Sequence, residues 1–250
     1  MLPGVKRIHT KVIACGEWYE VIYSEEGWLK GFTRDVSDGS LRVEEDDDED
    51  EELARFRGEW SARRSRNAIR RLINSNPDLC SHWVLTFADN VQDIRKANKA
   101  WDVFVKRLRR WARGRVNPLR WVKVIEFQAR GAVHFHVLVN VPWIDWDELQ
   151  RLWGEGFVKP GWVYQPDNVG AYMTKYISKA IEEKDGRYFK LRVYSHSQSC
   201  KKPQISEGGK ELYASMSKGG GELIHEGEWE ENGRRFKYRQ VRRICSGPGD

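Results

Sequence analysis

The sequence is poor in the features that mark several classes of protein. It has four cysteines in 250 residues, and because none lies near another, neither a zinc knuckle nor a disulfide framework is indicated. No apolar run approaches the length that spans a membrane, and the first residues lack the pattern of a signal peptide. A G-x-x-x-x-G-K-[ST] phosphate loop is also missing. We therefore expect a cytoplasmic protein with reduced cysteines, no membrane contact and no nucleotide-driven motor of its own.

Charge is unevenly distributed along the chain. The sequence has 43 Lys and Arg against 37 Asp and Glu, a net charge of +6. Residues 44–52 form an unbroken run of acidic residues, so the rest of the chain is more strongly basic than the average suggests. Twelve tryptophans add aromatic surface. A basic, aromatic-rich body suits nucleic acid, although tryptophan more often fills hydrophobic cores.

The pattern of residues divides the chain into five segments. Residues 1–43 carry short β-rich stretches at 12–13, 18–23 and 28–32 and predict a small N-terminal extension. The acidic run at 44–52 is interpreted as a solvated linker, and residues 53–76 as an Arg-rich helix. A central domain follows over residues 77–200. Residues 201–250 form a basic extension in which Asn232-Gly233 predicts a hairpin; its second strand either contacts DNA phosphates or is a charged edge strand.

The order of elements in the central segment predicts its fold. We expect a strand over 82–87, a helix over 91–112, strands over 122–128 and 132–139, a helix over 145–153 and a strand over 157–164. This order is that of an α+β, ferredoxin-like split βαβ fold with an antiparallel sheet. Both helices then cover one face of the sheet, and the opposite face is left for another element.

A hairpin in the middle of this segment predicts a cluster of polar side chains. With Ala129, Arg130 and Gly131 as a three-residue loop, Glu126 lies opposite His134. Because side chains alternate along a strand, His134 and His136 share a face with Glu126. Two imidazoles and a carboxylate form a ligand set for a divalent cation. The alternative is a pair of ordinary hydrogen-bonded or surface histidines.

A second pattern predicts a helix over residues 168–183. Tyr172 and Tyr176 are four residues apart, so they lie on one side of this helix. Lys175 and Lys179 have the same spacing on an adjoining stripe, and nearby cations lower the cost of forming a phenolate. Taken alone, two tyrosines at this spacing are more typical of an ordinary core face.

Arginines predict where a nucleic acid would lie. The helix over 53–74 is rich in arginine, and its solvated-surface interpretation competes with phosphate contact. The residues that we expect to contact DNA include one at the hairpin loop, and they are Arg63, Arg64, Arg66, Arg70 and Arg130.

Together these motifs resemble a known family. The pairing of His134-Phe135-His136 with the stretch AYMTKYISK is similar to the HUH endonucleases, and within them to the rolling-circle replication initiators (Rep) of plasmids, phages and integrative elements. The strand VLTF resembles the family's first motif, GAVHFHVLV its second with Glu126 as third ligand, and Tyr172 to Lys179 its third. The resemblance spans about residues 81–180, and the trio is specific only as an ordered set.

The resemblance implies an enzyme that nicks and rejoins single-stranded DNA at a replication origin, typically a hairpin or palindrome. Mg²⁺ or Mn²⁺ would be held by Glu126, His134 and His136. Tyr176 would make the first cut and Tyr172 the second transfer, leaving a 5′-phosphotyrosine. The remaining implied roles are phosphate or phenolate stabilisation and support of the ligands, by Lys175, Lys179, Gln128 and Thr86. The partners would be a helicase and a polymerase of a prokaryotic host, in whose cytoplasm the protein would act.

Other functions compete with this one. A relaxase or transposase uses the same chemistry, but paired tyrosines fit a replication initiator better than a one-tyrosine transposase. A regulator that binds duplex DNA without metal would not need Tyr176. A histidine-triad hydrolase would need a third alternating histidine, where position 138 is leucine; a cupin-like metal enzyme is the remaining alternative.

Overall fold

The protein is α+β, with two antiparallel five-stranded sheets in two compact units. The computed structural model describes residues 8–25, 64–163, 170, 173, 191–218, 221–231 and 234–243. One unit is Asp48–Lys201, and the other combines Met1–Asp47 with Lys202–Asp250. Among the described residues, no helix has the length and apolar character needed to cross a membrane.

In chain order the elements are β1 (Ile8–Cys15), β2 (Trp18–Glu25), α1 (residues 64–74), β3 (Ser81–Phe87), α2 (Ile94–Ala112), β4 (Trp121–Phe127), β5 (Val133–Val139), α3 (Trp146–Trp153), β6 (Gly156–Trp162), β7 (Tyr194–His196), β8 (Gln204–Gly208), α4 (Lys210–Lys218), β9 (Glu222–Glu231) and β10 (Arg234–Arg242). The predicted strand over 28–32 and the acidic run lie outside the described residues.

The sheet of the larger unit has the order β6-β3-β5-β4-β7. Its first four strands, with α2 after β3 and α3 after β5, form the split βαβ arrangement that the sequence predicts. The fold class is thus confirmed. The short strand β7 extends the sheet beyond β4 by pairing with it antiparallel, an addition that the sequence did not predict.

Local capping explains where the two helices of this unit begin and end. The Asp93 carboxylate accepts a hydrogen bond from Arg95 N at 2.7 Å, so α2 starts at Ile94 rather than at the predicted residue 91. Asp145 caps α3 in the same way. An Asp at this position satisfies backbone N–H groups that have no partner within the helix.

One face of the sheet is packed against α2 and α3. Its contacts are made by side chains at odd-numbered positions of β3, β4 and β5, among them Trp83, Ile125 and Phe135. These side chains meet the large buried residues Phe104 of α2 and Trp153 of α3, whose ring centroids are 5.7 Å apart and nearly perpendicular. Both predicted helices therefore cover this face, as expected.

The opposite face is covered in part by α1. Ile69, Leu72 and Ile73 of α1 are buried with even-numbered residues of β4 and β5, including Val124 and Leu138. The sequence analysis assigned this face to the tyrosine-bearing helix and placed the Arg-rich helix at the domain edge. In the structure α1 packs on this face, because its Ile-Leu-Ile stripe supplies the apolar contact.

The smaller unit joins the two ends of the chain in one sheet, with the order β8-β1-β2-β10-β9. The strand β10 lies between β2 and β9, so it is not the edge strand that one interpretation of its charges suggested. Its cations face carboxylates of β9: Lys237 Nζ lies 2.6 Å from Glu228 Oε1, and Arg239 Nε lies 3.2 Å from Glu226 Oε1. These pairs account for part of the charge that we had considered available for DNA. The predicted boundaries of the five segments stay predictions.

A lysine lies inside the helix-covered core. Lys123 on β4 is 3% exposed, and its amine lies 4.5 Å from the ring centroid of Phe135 and 4.9 Å from that of Trp101. The amine donates a hydrogen bond to Asn98 Oδ1 at 2.8 Å. Burial lowers the pKa of Lys123 to about 8, against a smaller raising effect of Asp102. A charged amine in this place is less stable than in water.

This burial predicts how stability depends on pH. Between about pH 8 and about 10.5 the unfolded chain binds a proton at Lys123 that the folded protein has lost, so the free energy of unfolding should rise with pH in this window. Replacement Lys123→Met should remove that rise, which amounts to about 3 kcal/mol, and should stabilise the protein at neutral pH. Urea unfolding at a series of pH values measures both effects, with Lys99→Met on the exposed side of α2 as control. An unchanged pH profile in Lys123→Met would contradict the prediction.

Candidate functional site

The hairpin between β4 and β5 has the predicted three-residue loop. Gln128 N donates to Ala132 O at 2.9 Å, and Gly131 N donates to Gln128 O at 2.8 Å. Gly131 has a φ of 87°, a backbone conformation that glycine adopts without steric penalty. The loop therefore closes in the register that the sequence predicts.

That register places the predicted ligands on one face. Glu126 pairs with His134 across β4 and β5, and His134 pairs on its other side with Thr86 of β3. Paired residues of antiparallel strands point to the same side of a sheet, so Glu126, His134 and Thr86 form a row. His136 lies two residues further along β5 and belongs to the same face. We call this surface of the sheet the site face.

Glu126 and His136 are in direct contact. Glu126 Oε2 lies 2.5 Å from His136 Nε2, and the two side chains are 14% and 6% exposed. An ionised carboxylate only accepts hydrogen bonds, so Nε2 of His136 carries the proton in this contact. If the ring is neutral, its other nitrogen, Nδ1, is then an acceptor.

A third histidine, which the sequence analysis did not single out, completes this chain of contacts. His82 on β3 lies with its Nε2 3.3 Å from His136 Nδ1, and the two rings stack with centroids 5.5 Å apart and planes 12° apart. With a neutral His136, the His82 Nε2–H donates to Nδ1. His82 has even spacing with Thr86 on β3, but a lone histidine gave no local sign that β3 would pair beside β5.

The donor set has the chemistry of a divalent-cation site, in which one carboxylate and two imidazoles leave positions open for substrate oxygens. Within the part of the chain that the structure describes, however, no three His, Cys, Asp or Glu side chains are grouped as a formed metal site. Glu126 and His136 share a hydrogen bond instead. Metal binding by Glu126, His134 and His136 is therefore a proposal, and it requires this hydrogen bond to open.

The residues at the hairpin loop support one another. Arg130 Nε donates to Gln128 Oε1 at 2.9 Å, and the Arg130 carbonyl accepts from Gln92 Nε2 at 3.2 Å and from Asn90 Nδ2 at 3.4 Å. Arg130 is exposed and Gln128 half-buried. Gln128 is thus held at the end of the site face, and the exposed Arg130 lies beside it.

The structure describes two residues of the predicted tyrosine helix. Gly170 and Met173 are helical, and Met173 is fully buried in the cluster that α1 forms with the site face. A Cβ on Gly170 would lie 2.7 Å from Arg70 O, so a glycine is needed where this helix approaches α1. The predicted nucleophiles and their neighbouring cations lie outside the described residues, namely Tyr172, Lys175, Tyr176 and Lys179.

One described tyrosine does lie on the site face. Tyr194 on β7 pairs with Val124, which in turn pairs with His136. Burial raises the pKa of Tyr194, against a smaller lowering effect of Arg192. Because a tyrosine nucleophile needs an accessible phenolate, this shift is in the wrong direction for attack. Its packing against the cluster of α1 and Met173 indicates a structural role.

The predicted DNA-contacting arginines of α1 are half-buried. Arg64, Arg66 and Arg70 belong to the described part of this helix, which packs on the site face through Ile69 and its neighbours. Arg63 lies outside the described residues. Contact of these arginines with DNA stays a prediction.

Comparison with known proteins gives one family. Residues 80–181, about two fifths of the chain, match a family model described as replication-associated protein ORF2. The matched segment contains β3 to β6 with the site face and the predicted tyrosine helix. Neither curated protein sequences nor solved structures gave a match. The match supports a role in the initiation of replication.

The contact between His82 and His136 can be tested directly. Replacement His82→Phe keeps a stacked ring but removes the nitrogen that faces His136 Nδ1. In metal-free protein at about pH 8, where imidazoles are mostly neutral, we expect the ¹⁵N signal of His136 Nδ1 to move towards that of a nitrogen without a hydrogen bond. The Nε2 signal should stay, because Glu126 still accepts its proton. His225→Phe in the other unit is the control, and an unmoved Nδ1 signal in His82→Phe would show that His82 does not donate to His136.

Proposed function

We propose that this protein nicks and rejoins single-stranded DNA at a replication origin, as a HUH-type endonuclease that initiates rolling-circle replication. The observation that carries the proposal is the common face of Glu126, His134 and His136, inside the segment that matches a replication-associated family. Met173, three residues before Tyr176, packs on that same face. This supports a tyrosine-bearing helix over the site.

Glu126, His134 and His136 would hold Mg²⁺ or Mn²⁺. The bound ion would polarise a nonbridging oxygen of the scissile phosphate and offset charge in the transition state. The chain's own part is to present three donors from paired strands whose register cannot slip without exchanging the two faces of the sheet. His82 would hold the ring of His136 in orientation while Glu126 turns from the imidazole. Thr86 and Gln128 would support the ligands at either side of His134 and Glu126.

Tyr176 would carry out the first cut. Its phenol loses a proton, the phenolate oxygen bonds to phosphorus, and the bond from phosphorus to the 3′ oxygen breaks. The 3′ oxygen takes up a proton and becomes the hydroxyl that primes a polymerase, while the 5′ phosphate stays on the tyrosine, which conserves the bond energy for rejoining. Tyr172 would accept the strand in a second transfer. Lys175 and Lys179 would stabilise the phenolates or the phosphate.

The remaining parts of the reaction involve contacts along the DNA and other proteins. Arg64, Arg66 and Arg70 of α1, together with Arg63 and the exposed Arg130, would contact phosphates. Since the sequence has no phosphate-binding loop for nucleotide hydrolysis, strand separation would need a host helicase.

A covalent adduct tests the proposal. The full chain is incubated with Mn²⁺ and a pool of labelled single-stranded oligonucleotides with a randomised segment, and then separated on a denaturing gel. We expect a labelled protein–DNA band that is absent without metal, lost in Tyr176→Phe, and retained for the first cut in Tyr172→Phe. An adduct formed at the native rate by Tyr176→Phe would move the first cut to another tyrosine.

The metal part of the proposal has its own variant. Glu126→Gln keeps the size of the side chain but removes its charge, so we expect Mn²⁺ affinity to fall by more than about tenfold, the scale seen when supporting residues of metal sites are changed. Calorimetric titration with Mn²⁺ measures this independently of nicking, and Glu155→Gln, an exposed carboxylate in the loop before β6, is the control. Equal Mn²⁺ affinity in Glu126→Gln and the native protein would refute the assignment of Glu126. Metal-free DNA binding with no adduct under any condition would favour a regulator over an enzyme.

A further inference from the structure

The edge strand β6 extends the site face outward. Phe157 pairs with Thr86 of β3, and Thr86 pairs with His134. In the next row, Lys159 pairs with Val84, and Val84 pairs with His136. Because paired residues share a face, the side chains of Phe157 and Lys159 lie on the same face as the proposed ligands.

Phe157 and Lys159 are far more accessible than their neighbours on this face. Phe157 is 64% exposed, and Lys159 is also exposed, whereas Thr86, Val84 and His134 are half-buried. A large apolar ring left open to solvent has a cost that burial against another molecule would remove. A cation two residues away along the same strand adds a charge that suits a phosphate.

The backbone of β6 is held in place by α3. Val158 N donates to Gln150 Oε1 at 3.1 Å, and Val158 O accepts from Trp146 Nε1 at 3.1 Å. Gln150 Nε2 also donates to Gly156 O. These side chains occupy backbone groups on the outer edge of the strand, which makes pairing with an added β-strand less favourable. The side chains on the site face are therefore what β6 offers to a partner.

We propose that Phe157 and Lys159 form a binding subsite for the single-stranded DNA beside the scissile phosphate, in which a base stacks on Phe157 and a phosphate binds Lys159. This inference rests on the proposed function. Two strand spacings separate β6 from β5, so the backbones of Phe157 and His134 are about 10 Å apart. That distance corresponds to about three nucleotides at the stacked spacing. The subsite thus holds a nucleotide one to three positions from the phosphate that is cut.

Direct binding to a sequence-neutral probe tests the subsite. The full-length protein is titrated without metal into a fluorescein-labelled dT12 oligonucleotide, and anisotropy is measured at several salt concentrations. Stacking on an aromatic side chain tolerates any base, so we expect Phe157→Ala to weaken binding about tenfold and Phe157→Trp to preserve it. Lys159→Ala should lower the slope of log K against log salt by about 0.7, the contribution of one phosphate contact in a single strand.

Matched variants separate a local effect from a general one. Trp162→Ala removes an exposed ring from the same strand but from the opposite face, and Lys99→Ala removes an exposed cation from α2; both should leave binding unchanged. If the native protein binds dT12 and forms the covalent adduct, yet Phe157→Ala and Lys159→Ala bind as the native protein does, the subsite is wrong and the proposed function stands. If the native protein neither binds dT12 nor forms an adduct, both proposals fail.

Discussion

The register of the β4–β5 hairpin is the constraint on which the rest of the site depends. Side chains alternate with a period of two, so a slip of one residue would send Glu126 to the helix-covered face and leave the histidines opposite apolar side chains. Gly131 prevents that slip, because its φ of 87° closes a three-residue loop that a two-residue loop could not replace. The paired backbone hydrogen bonds of Gln128 with Ala132 and Gly131 then carry the register into both strands.

The constraint is local, which is why the sequence alone could predict it. Loop length, a glycine at the last loop position and alternating residues on both sides lie within about twenty residues, and turn chemistry connects them. His82 has no such local sign. It reaches His136 only because β3 pairs with β5 across more than fifty residues, and the register of strands that distant follows from packing of the whole core. The same reasoning explains why the strand order was predictable from the element order, while the position of α1 on the site face was not.

The smaller unit shows the limit of interpreting charge from sequence. The second strand of the predicted hairpin is strongly basic, and in isolation that favours contact with phosphates. In the structure the strand is internal, and the carboxylates of Glu226 and Glu228 face its cations. Alternation of glutamate on β9 was visible in the sequence, but its meaning depends on cross-strand register. That β1 and β2 join the same sheet as β10 was beyond any local pattern, since the two segments are separated by the whole central domain.

The two faces of the larger sheet divide stiffness from adaptability. On the helix-covered face, Phe135 packs edge-on against Phe87, Trp101 and Trp153, and close-packed aromatic rings leave little room for the strand to shift. His134 and His136 flank Phe135 on β5, so their backbone is fixed from behind. Any change on binding a cation or a phosphate must then come from side-chain rotation, above all from the exchange of the Glu126–His136 hydrogen bond for other contacts. A site of this kind holds its donors near their working positions before the ligand arrives, which lowers the entropy lost on binding. The short contact between carboxylate and imidazole is in this sense a resting arrangement: it satisfies two nearly buried polar groups, and it is weak enough to be replaced because both partners are ready acceptors or donors for what would take its place.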